Sequence, residues 1–315
     1  MSSLSVEDRP QNASFTQDVV RAMRALYPEE LADRAWDNVG LLLGNLDEDT
    51  QRRLNLHITS VERTVLLTND LTTAVAEEAI RRKASVVVSY HPFIFKGLKS
   101  INIQDPQQRI LLQLAQKNIA VYCPHTAVDA VPGGLNDWLA DMLCLGEDEK
   151  ARAIAQPTSA PPPSGFERSG YGRTVEFAQP VLVTELVQRL ARGLGGLKYV
   201  MVAAPQQPPP STRHVLSAAV CAGSGWDVLK DCSVDVLVTG EMSHHSALRA
   251  IMDNKIVITV FHSNSEREYL RQRMQPALEA QLRKLNSVAN VVVSDADTDP
   301  FQIWDVDSLK SEPST

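Results

Sequence analysis

The chain has 315 residues, 43% of them hydrophobic and 22% charged, with a formal net charge of −7. That length supports a large hydrophobic core and about two domains of roughly 100–200 residues each, which excludes a disordered or fibrous chain. Even the richest apolar stretch, Ser85 to Phe95, is interrupted by Ser89, Tyr90, His91 and Pro92 and falls short of the ~18 residues of a membrane span, while an acidic chain without a local basic patch has no electrostatic drive toward nucleic acid.

The opening MSSLSVEDRPQNASF lacks the basic flank and apolar core of a signal peptide, and Glu7 and Asp8 oppose a transit peptide. A cytoplasmic location is therefore expected, with the nucleus open. Thr16 to Leu26 has the periodicity of an amphipathic helix, with Val19, Val20, Met23 and Leu26 on one face. Thr64 to Thr68 predicts a strand, Leu71 to Lys83 a helix and Ser85 to Ser89 a β-branched strand. The rhythm repeats through a helix over Pro106 to Lys117, a strand over Ile119 to Cys123 and a helix over Leu135 to Leu143. Such alternation indicates βαβ crossovers in a mainly parallel sheet.

Gln156 to Gly165 is rich in proline and serine, which sets a linker over residues 151–170 between an N-terminal α/β half (1–150) and a C-terminal one (171–315). Beyond it come a strand over Tyr171 to Phe177, a helix over Val183 to Leu194, and a surface loop at Pro205 to Ser211. The alternation then resumes with strands over Val215 to Ala222, Val234 to Thr239, Ile256 to Phe261 and Val291 to Ser294. Helices are expected over Trp226 to Cys232, Met242 to Asp253 and, as one long final element, Ser265 to Leu285. The fold class is thus α/β, two halves with mainly parallel sheets. The halves share an architecture without sequence identity between them.

Open parallel sheets bind ligands beyond the carboxyl ends of their strands. Five of the seven histidines (His91, His125, His244, His245 and His262) fall just past such an end, whereas His57 and His214 do not. Singly, a histidine after a strand more often serves as a hydrogen-bonded structural residue. Four strand ends that each supply His or carboxylate are hard to explain by packing, and imidazole with carboxylate is a metal-ligand mixture. His262 and Glu266, at i and i+4, would share one face of a helix start. The four cysteines form no CxxC pair, so they indicate reduced thiols rather than disulfides or a zinc knuckle.

At these same residues the sequence resembles a known family. Tyr90-His91-Pro92-Phe93-Ile94-Phe95, His125-Thr126-Ala127-Val128-Asp129 with Gly133-Gly134-x-Asn136, Cys221-Ala222-Gly223-Ser224-Gly225, Thr239-Gly240-Glu241 and His262-x-x-x-Glu266 look like the ordered motifs of the Nif-three-like family, whose bacterial members are labelled GTP cyclohydrolase I type 2 homologues. Asp37-Asn38-Val39-Gly40-Leu41 and Tyr171-Gly172-Arg173 fit it as well, so the resemblance covers nearly the whole chain, in the short form without a middle insert domain.

The resemblance implies a two-metal site in a cleft shared by the two halves, within a toroidal homo-oligomer often built as a trimer of dimers, that is, a hexamer. Carried over by motif, His91, Asp129, His262 and Glu266 would be metal ligands, with Glu266 bridging. The first His of the bacterial His-His-Pro is Tyr90 here. One ion would keep His91, His262 and Glu266. The other would be left with Asp129, Glu266 and Tyr90, whose phenol (pKa ~10) must lose a proton to ligate well. The expectation is one well-held divalent ion and a second site that is poorly held or empty. Zinc, manganese, iron, nickel and cobalt all suit such ligands.

Other residues have alternative readings. Glu241 would be a general base or an acidic residue serving a helix dipole. His125 would orient Asp129 or its loop, and His245 would back the metals while His244 faces the surface. Gly223-Ser224-Gly225 would cradle phosphate with backbone N–H groups, but it lacks the lysine of a P-loop. Asp70 would be an N-cap first and a site residue second.

Two functions follow. One is a metal-dependent hydrolase acting on a nucleotide-like or phosphorylated substrate through metal-activated water. The other is a non-enzymatic regulatory or interaction protein, linked through the family name to a transcription-related partner, in which metal supports the oligomer.

Overall fold

A computed structural model describes residues 14–56, 62–145 and 149–306; the N-terminal start and His57 lie outside the described residues. Two sheets organise the chain. The first has the order β1 (Gly40–Leu43), β4 (Ala120–Cys123), β3 (Val86–Ser89), β2 (Thr64–Thr68) and β11 (Asn290–Val293). Its pairs are parallel except β1 with β4. The second runs β5 (Glu149–Pro157), β6 (Gly170–Leu182), β8 (His214–Cys221), β9 (Val236–Thr239), β10 (Ile256–Thr259) and β7 (Met201–Ala203). Here parallel pairing is confined to the centre, β8 with β9 and β9 with β10, and the flanking pairs are antiparallel.

The central strands β2, β3, β4, β9 and β10 are buried at every position because both faces are covered. Val65, Leu67, Val86 and Val88 face a core that the sheets share, where they meet Val236, Val238, Ile256 and Ile258. Helices α1 (Phe15–Leu26), α6 (Leu135–Leu143), α7 (Val183–Gly193) and α11 (Gln275–Lys284) contribute to that core. The alternate residues Leu66 and Val87 turn outward onto α3 (Thr73–Arg81) and α4 (Pro106–Gln116). On the second sheet, Leu237 and Val257 turn outward toward α8 (Trp226–Leu229) and α9 (His244–Met252). Fully buried Val and Leu side chains of this kind contribute about 1.5–3 kcal/mol each. Among the described residues no helix is long and apolar enough to cross a membrane.

Several elements differ from the sequence expectation. Residues 149–157 overlap the expected linker yet form β5, a largely exposed edge strand paired antiparallel with β6. It ends at Pro157, which has no N–H to donate. β11 returns to the first sheet beside β2, so the residues after 171 do not all build the second sheet. The long helix expected over Ser265 to Leu285 is broken into a 3-10 turn at Ser263–Ser265, the short α10 (Arg267–Tyr269), a π-helical turn at Leu270–Met274, and α11. Pro276 accounts for the π-helical turn before α11, where the backbone stays helical through Met274 and Gln275, since it has no N–H for the α-helical ladder and its ring crowds the preceding turn. The short α2 (Glu48–Arg53) and α5 (Thr126–Ala130), and the strands β1 and β7, lack the length for a periodic signal.

Glu78 on α3 anchors the chain after β11. Its carboxylate accepts hydrogen bonds from Ser294 Oγ (2.5 Å), the Asp295 and Ala296 amides (3.2 and 3.1 Å) and Arg82 Nε (2.7 Å). Burial pushes this carboxyl up, but the hydrogen bonds outweigh burial and hold it below its ordinary value. Its stabilisation is therefore complete above the unfolded value of about 4.3 and is lost as pH falls through the lower folded value. Glu78→Gln is expected to lower the unfolding free energy at pH 7 by about 1–3 kcal/mol and to flatten the acid limb of a stability–pH profile. An acid limb identical to wild type contradicts this role.

Candidate metal centre

The carboxyl ends of the parallel strands of both sheets converge on one cleft. β2 delivers Asn69 and Asp70, β3 delivers Tyr90 and His91, and β4 leads through His125 into α5 with Asp129. From the second sheet, β8 leads into Gly223, β9 into Glu241, and β10 into His262 and Glu266. His262 and Glu266 flank the 3-10 turn rather than starting an α-helix. The tight turn still brings His262 Nε2 to 3.4 Å from Glu266 Oε1.

His91, His262 and Glu266 each offer one ligand atom, and the three atoms lie within 4.8 Å of one another. The two Nε2 atoms are 3.3 Å apart, and His91 Nε2 is 3.5 Å from Glu266 Oε2. The outer face of each imidazole decides its tautomer. His91 Nδ1 donates to Asp70 Oδ1 at 2.9 Å, and His262 Nδ1 donates to Glu241 Oε1 at 2.9 Å. With Nδ1 turned to a carboxylate, it is Nε2 of each ring that faces inward toward buried Glu266, so a ring in its neutral form would offer a lone pair there. Such an arrangement lacks positive charge. The His91 imidazole reflects this: burial alone lowers its pKa, but the charges of Glu266 and Asp70 push it up to about 10.

The surrounding structure keeps this space open and rigid. A Cβ placed on Gly223 would sit 2.9 Å from Glu266 Oε1 and 3.0 Å from His262 Nε2, at a φ of +60°. Asn69 Nδ2 donates to Glu266 Oε2 at 2.9 Å, and the Asn69 amide donates to Asp297 Oδ2 at 2.7 Å. Two non-glycine residues with positive φ, His125 (29°) and Phe261 (69°), flank the cleft; such backbones cost about 1–3 kcal/mol and persist only when neighbours enforce them. His125 is held by Asp37, whose Oδ1 accepts from its Nδ1 at 2.7 Å. Thr126 Oγ1 also donates to Asp37.

Asp129 and Tyr90 form a separate pair, in which the buried Tyr90 hydroxyl donates to Asp129 Oδ1 at 2.6 Å. Burial pushes the Asp129 carboxyl up to about 6, with the charge of Glu266 adding to it. Burial and the neighbouring Asp129 push the Tyr90 phenol well above its ordinary value. The phenol is thus held protonated, the opposite of what a ligand requires. Asp129 is joined to the second sheet by the buried Asn136, which donates to the Asp129 carbonyl at 3.1 Å and accepts from the Ala222 amide at 3.0 Å.

Other expected residues sit differently. Asp70 does not cap α3; Thr72 does, and Asp70 is spent on His91. Glu241 contacts His262 and Ser224, so it meets the cluster through an imidazole; the His262 hydrogen bond holds its carboxyl below the ordinary range. His125 reaches Asp37 rather than Asp129. His245 is exposed on α9 with its ring edge against His244. The Gly223-Ser224-Gly225 turn is no open phosphate cradle, since Gly223 N–H donates to Ser265 Oγ and Gly225 N–H to Thr239 Oγ1, both at 2.9 Å. Asn69 and Asp37 were not singled out as site residues. The signal available for Asn69 was its place beside Asp70 at the end of β2; for Asp37 it was the Asp37-Asn38-Val39-Gly40 motif.

The cluster opens into a cavity of about 990 Å³, lined also by Trp36, Phe95, Asp129 and Asp227. Asp70→Ala and Glu241→Ala are each expected to weaken zinc binding by about 10–100-fold, measured by chelator competition, with the circular dichroism spectrum unchanged. Affinity equal to wild type in both variants contradicts the orienting role.

Comparison with known proteins places the chain. The family model described as Duf34/NIF3 (NGG1p interacting factor 3) matches residues 15–300. The chain is 43% identical over 291 residues to a NIF3 homolog of Schizosaccharomyces pombe, covering 92% of this chain and 98% of that one. It is 38% identical over 289 residues to NGG1-interacting factor 3 of Saccharomyces cerevisiae, with 90% and 96% covered. Among solved structures, a Bacillus cereus protein related to NIF3 shares the fold with a TM-score of 0.75 at 20% identity, covering 94% of this chain and 100% of that one. Reduced HcgD from Methanocaldococcus jannaschii does so with 0.67 at 18% identity, covering 89% and 97%. The chain belongs to the Duf34/NIF3 family.

Proposed function

We propose that this protein is a metal-dependent hydrolase that binds one divalent ion through His91, His262 and Glu266. The observation that carries the reading is the convergence of two imidazole Nε2 atoms and a buried carboxylate at the edge of a large cavity. Two imidazoles and a carboxylate leave coordination positions open, and this mixture suits zinc, manganese, iron, nickel or cobalt. Bound there, such an ion supplies a Lewis acid that polarises a substrate oxygen and makes water acidic enough to attack near neutral pH. A nucleotide-like or a phosphorylated compound is the substrate such chemistry suits.

The protein's own groups have separable tasks. Asp70 and Glu241 hold the two imidazoles in one tautomer, and Asn69 fixes the Glu266 carboxylate; these are positioning residues. Asp129, with a carboxyl pushed up to about 6, is matched to accept and return a proton near neutral pH. Tyr90 already donates to its Oδ1, which leaves the second oxygen for water or substrate.

The same hydrogen bond supports a mononuclear centre. The second ion of the family's two-metal pattern would need a deprotonated Tyr90, whereas the phenol is pushed well above its ordinary value and keeps its proton in the hydrogen bond to Asp129. Wild type purified without chelator is expected to hold one ion per chain by elemental analysis, and Tyr90→His to hold two. Two tightly held ions in wild type contradict this assignment. His262→Ala and Glu266→Ala are expected to lose both the ion and the turnover of any substrate found by screening phosphatase, phosphodiesterase and nucleotide-hydrolase substrates.

A second reading, a non-enzymatic interaction protein with a transcription-related partner, is supported by the name of the Saccharomyces cerevisiae relative, NGG1-interacting factor 3. Exposed Phe301, Ile303 and Trp304 near the C-terminus offer an apolar surface for such a partner or for a homo-oligomer, including a trimer of dimers. If no screened substrate is turned over and His262→Ala abolishes assembly or partner binding, the second reading holds and the first fails.

A further inference from the structure

The cavity beside the cluster carries information about the substrate that the metal-ligand residues do not. Its lining includes five carboxylates, Asp33, Asp129, Asp227, Asp231 and Glu266, against one lysine. That lysine, Lys230, is paired with Asp227 at 3.0 Å. A divalent ion would offset two of the negative charges and leave the lining acidic. The backbone amides of Gly223 and Gly225, which would otherwise receive a phosphate, are consumed by Ser265 and Thr239. A phosphate group entering this cleft would meet like charge within a Debye length of roughly 8 Å.

One rim of the same cavity is aromatic. Trp36 and Phe95 are 52% and 45% exposed, unusual for large rings, and their centroids lie 5.9 Å apart with planes tilted by 36°. They are too close for a ring to slide between them, so together they make a shelf on which one flat ring can stack. Two contacts hold the indole. Trp36 Nε1 donates to Asp33 Oδ2 at 3.1 Å, and the indole meets the His125 ring edge-on at 5.7 Å. Asp227 and Asp231 supply acceptors elsewhere in the lining.

We propose that this cleft selects an uncharged or cationic planar nitrogen heterocycle, stacked on Trp36 and Phe95 beside the acidic lining, and that it discriminates against phosphorylated forms of the same ring. This names the substrate class of the hydrolase reading and rests on it for turnover, but not for binding. Stacking on an aromatic shelf tolerates many rings because each has a π-face. Selectivity then comes from charge and N–H donors.

A charge ladder on one ring tests this. Adenosine, AMP and ATP are titrated into the zinc-loaded full chain by calorimetry at low salt, with zinc content checked before and after. Adenosine is expected to bind most tightly, AMP more weakly and ATP most weakly, by about tenfold per step, with the differences shrinking as salt is added. Trp36→Ala is expected to weaken adenosine binding by about tenfold, in the range of base stacking, with zinc content unchanged; Trp36→Phe restores most of it. Binding of ATP as tight as adenosine, no binding of adenosine, or a Trp36→Ala variant equal to wild type overturns the proposal. If the ladder holds and no amino-heterocycle is turned over, the hydrolase reading fails and the binding proposal stands. Turnover of a phosphate ester with an inverted ladder has the opposite meaning.

Discussion

Two imidazoles from different sheets face each other at 3.3 Å, with the buried Glu266 beside both, and the arrangement is uncomfortable without positive charge. Two neutral nitrogen lone pairs and an anion directed at one point repel unless a cation or proton enters. Asn69 Nδ2 gives Glu266 a neutral hydrogen bond, but the protein leaves the conflict in place. It strengthens it, because Asp70 and Glu241 hold the ring protons on the far side and Gly223 withholds the side chain that would fill the gap.

The scaffold explains how such a centre persists. The strands that supply it are buried on both faces, and both sheets pack onto one common core, so the two halves of the cluster cannot drift apart without disrupting that core. Asn136 reinforces the join by bonding Asp129 and Ala222 at once. Strained backbone at His125 and Phe261 is affordable on such a frame, and it is spent next to the cleft.

Much of this was legible in the sequence because strand ends announce themselves. Val86 to Ser89 and Ile256 to Thr259 are short apolar runs whose last residues lead straight into Tyr90-His91 and toward His262, and their order matched a family motif set. Less legible was anything set by tertiary hydrogen bonding. Asp70 has the sequence context of a helix cap, yet the cap is Thr72 and Asp70 pairs with a histidine twenty-one positions away. Gly223-Ser224-Gly225 has the composition of an anion cradle, but its amides are claimed by Ser265 and Thr239. The helix expected from Ser265 starts only at Arg267, because Glu266 has φ −128°, and it carries a π-helical turn ahead of Pro276. The strand β5 was obscured by the proline-rich segment into which it runs.

The centre's composition is testable independently of any substrate. X-ray absorption at the zinc edge of the zinc-loaded full chain reads the ligands directly. The account predicts two imidazoles and oxygen donors at about 2.0–2.1 Å with no sulfur, and loss of one imidazole in His262→Ala. A sulfur shell from Cys123 or Cys221, or a spectrum that His262→Ala leaves unchanged, would contradict it.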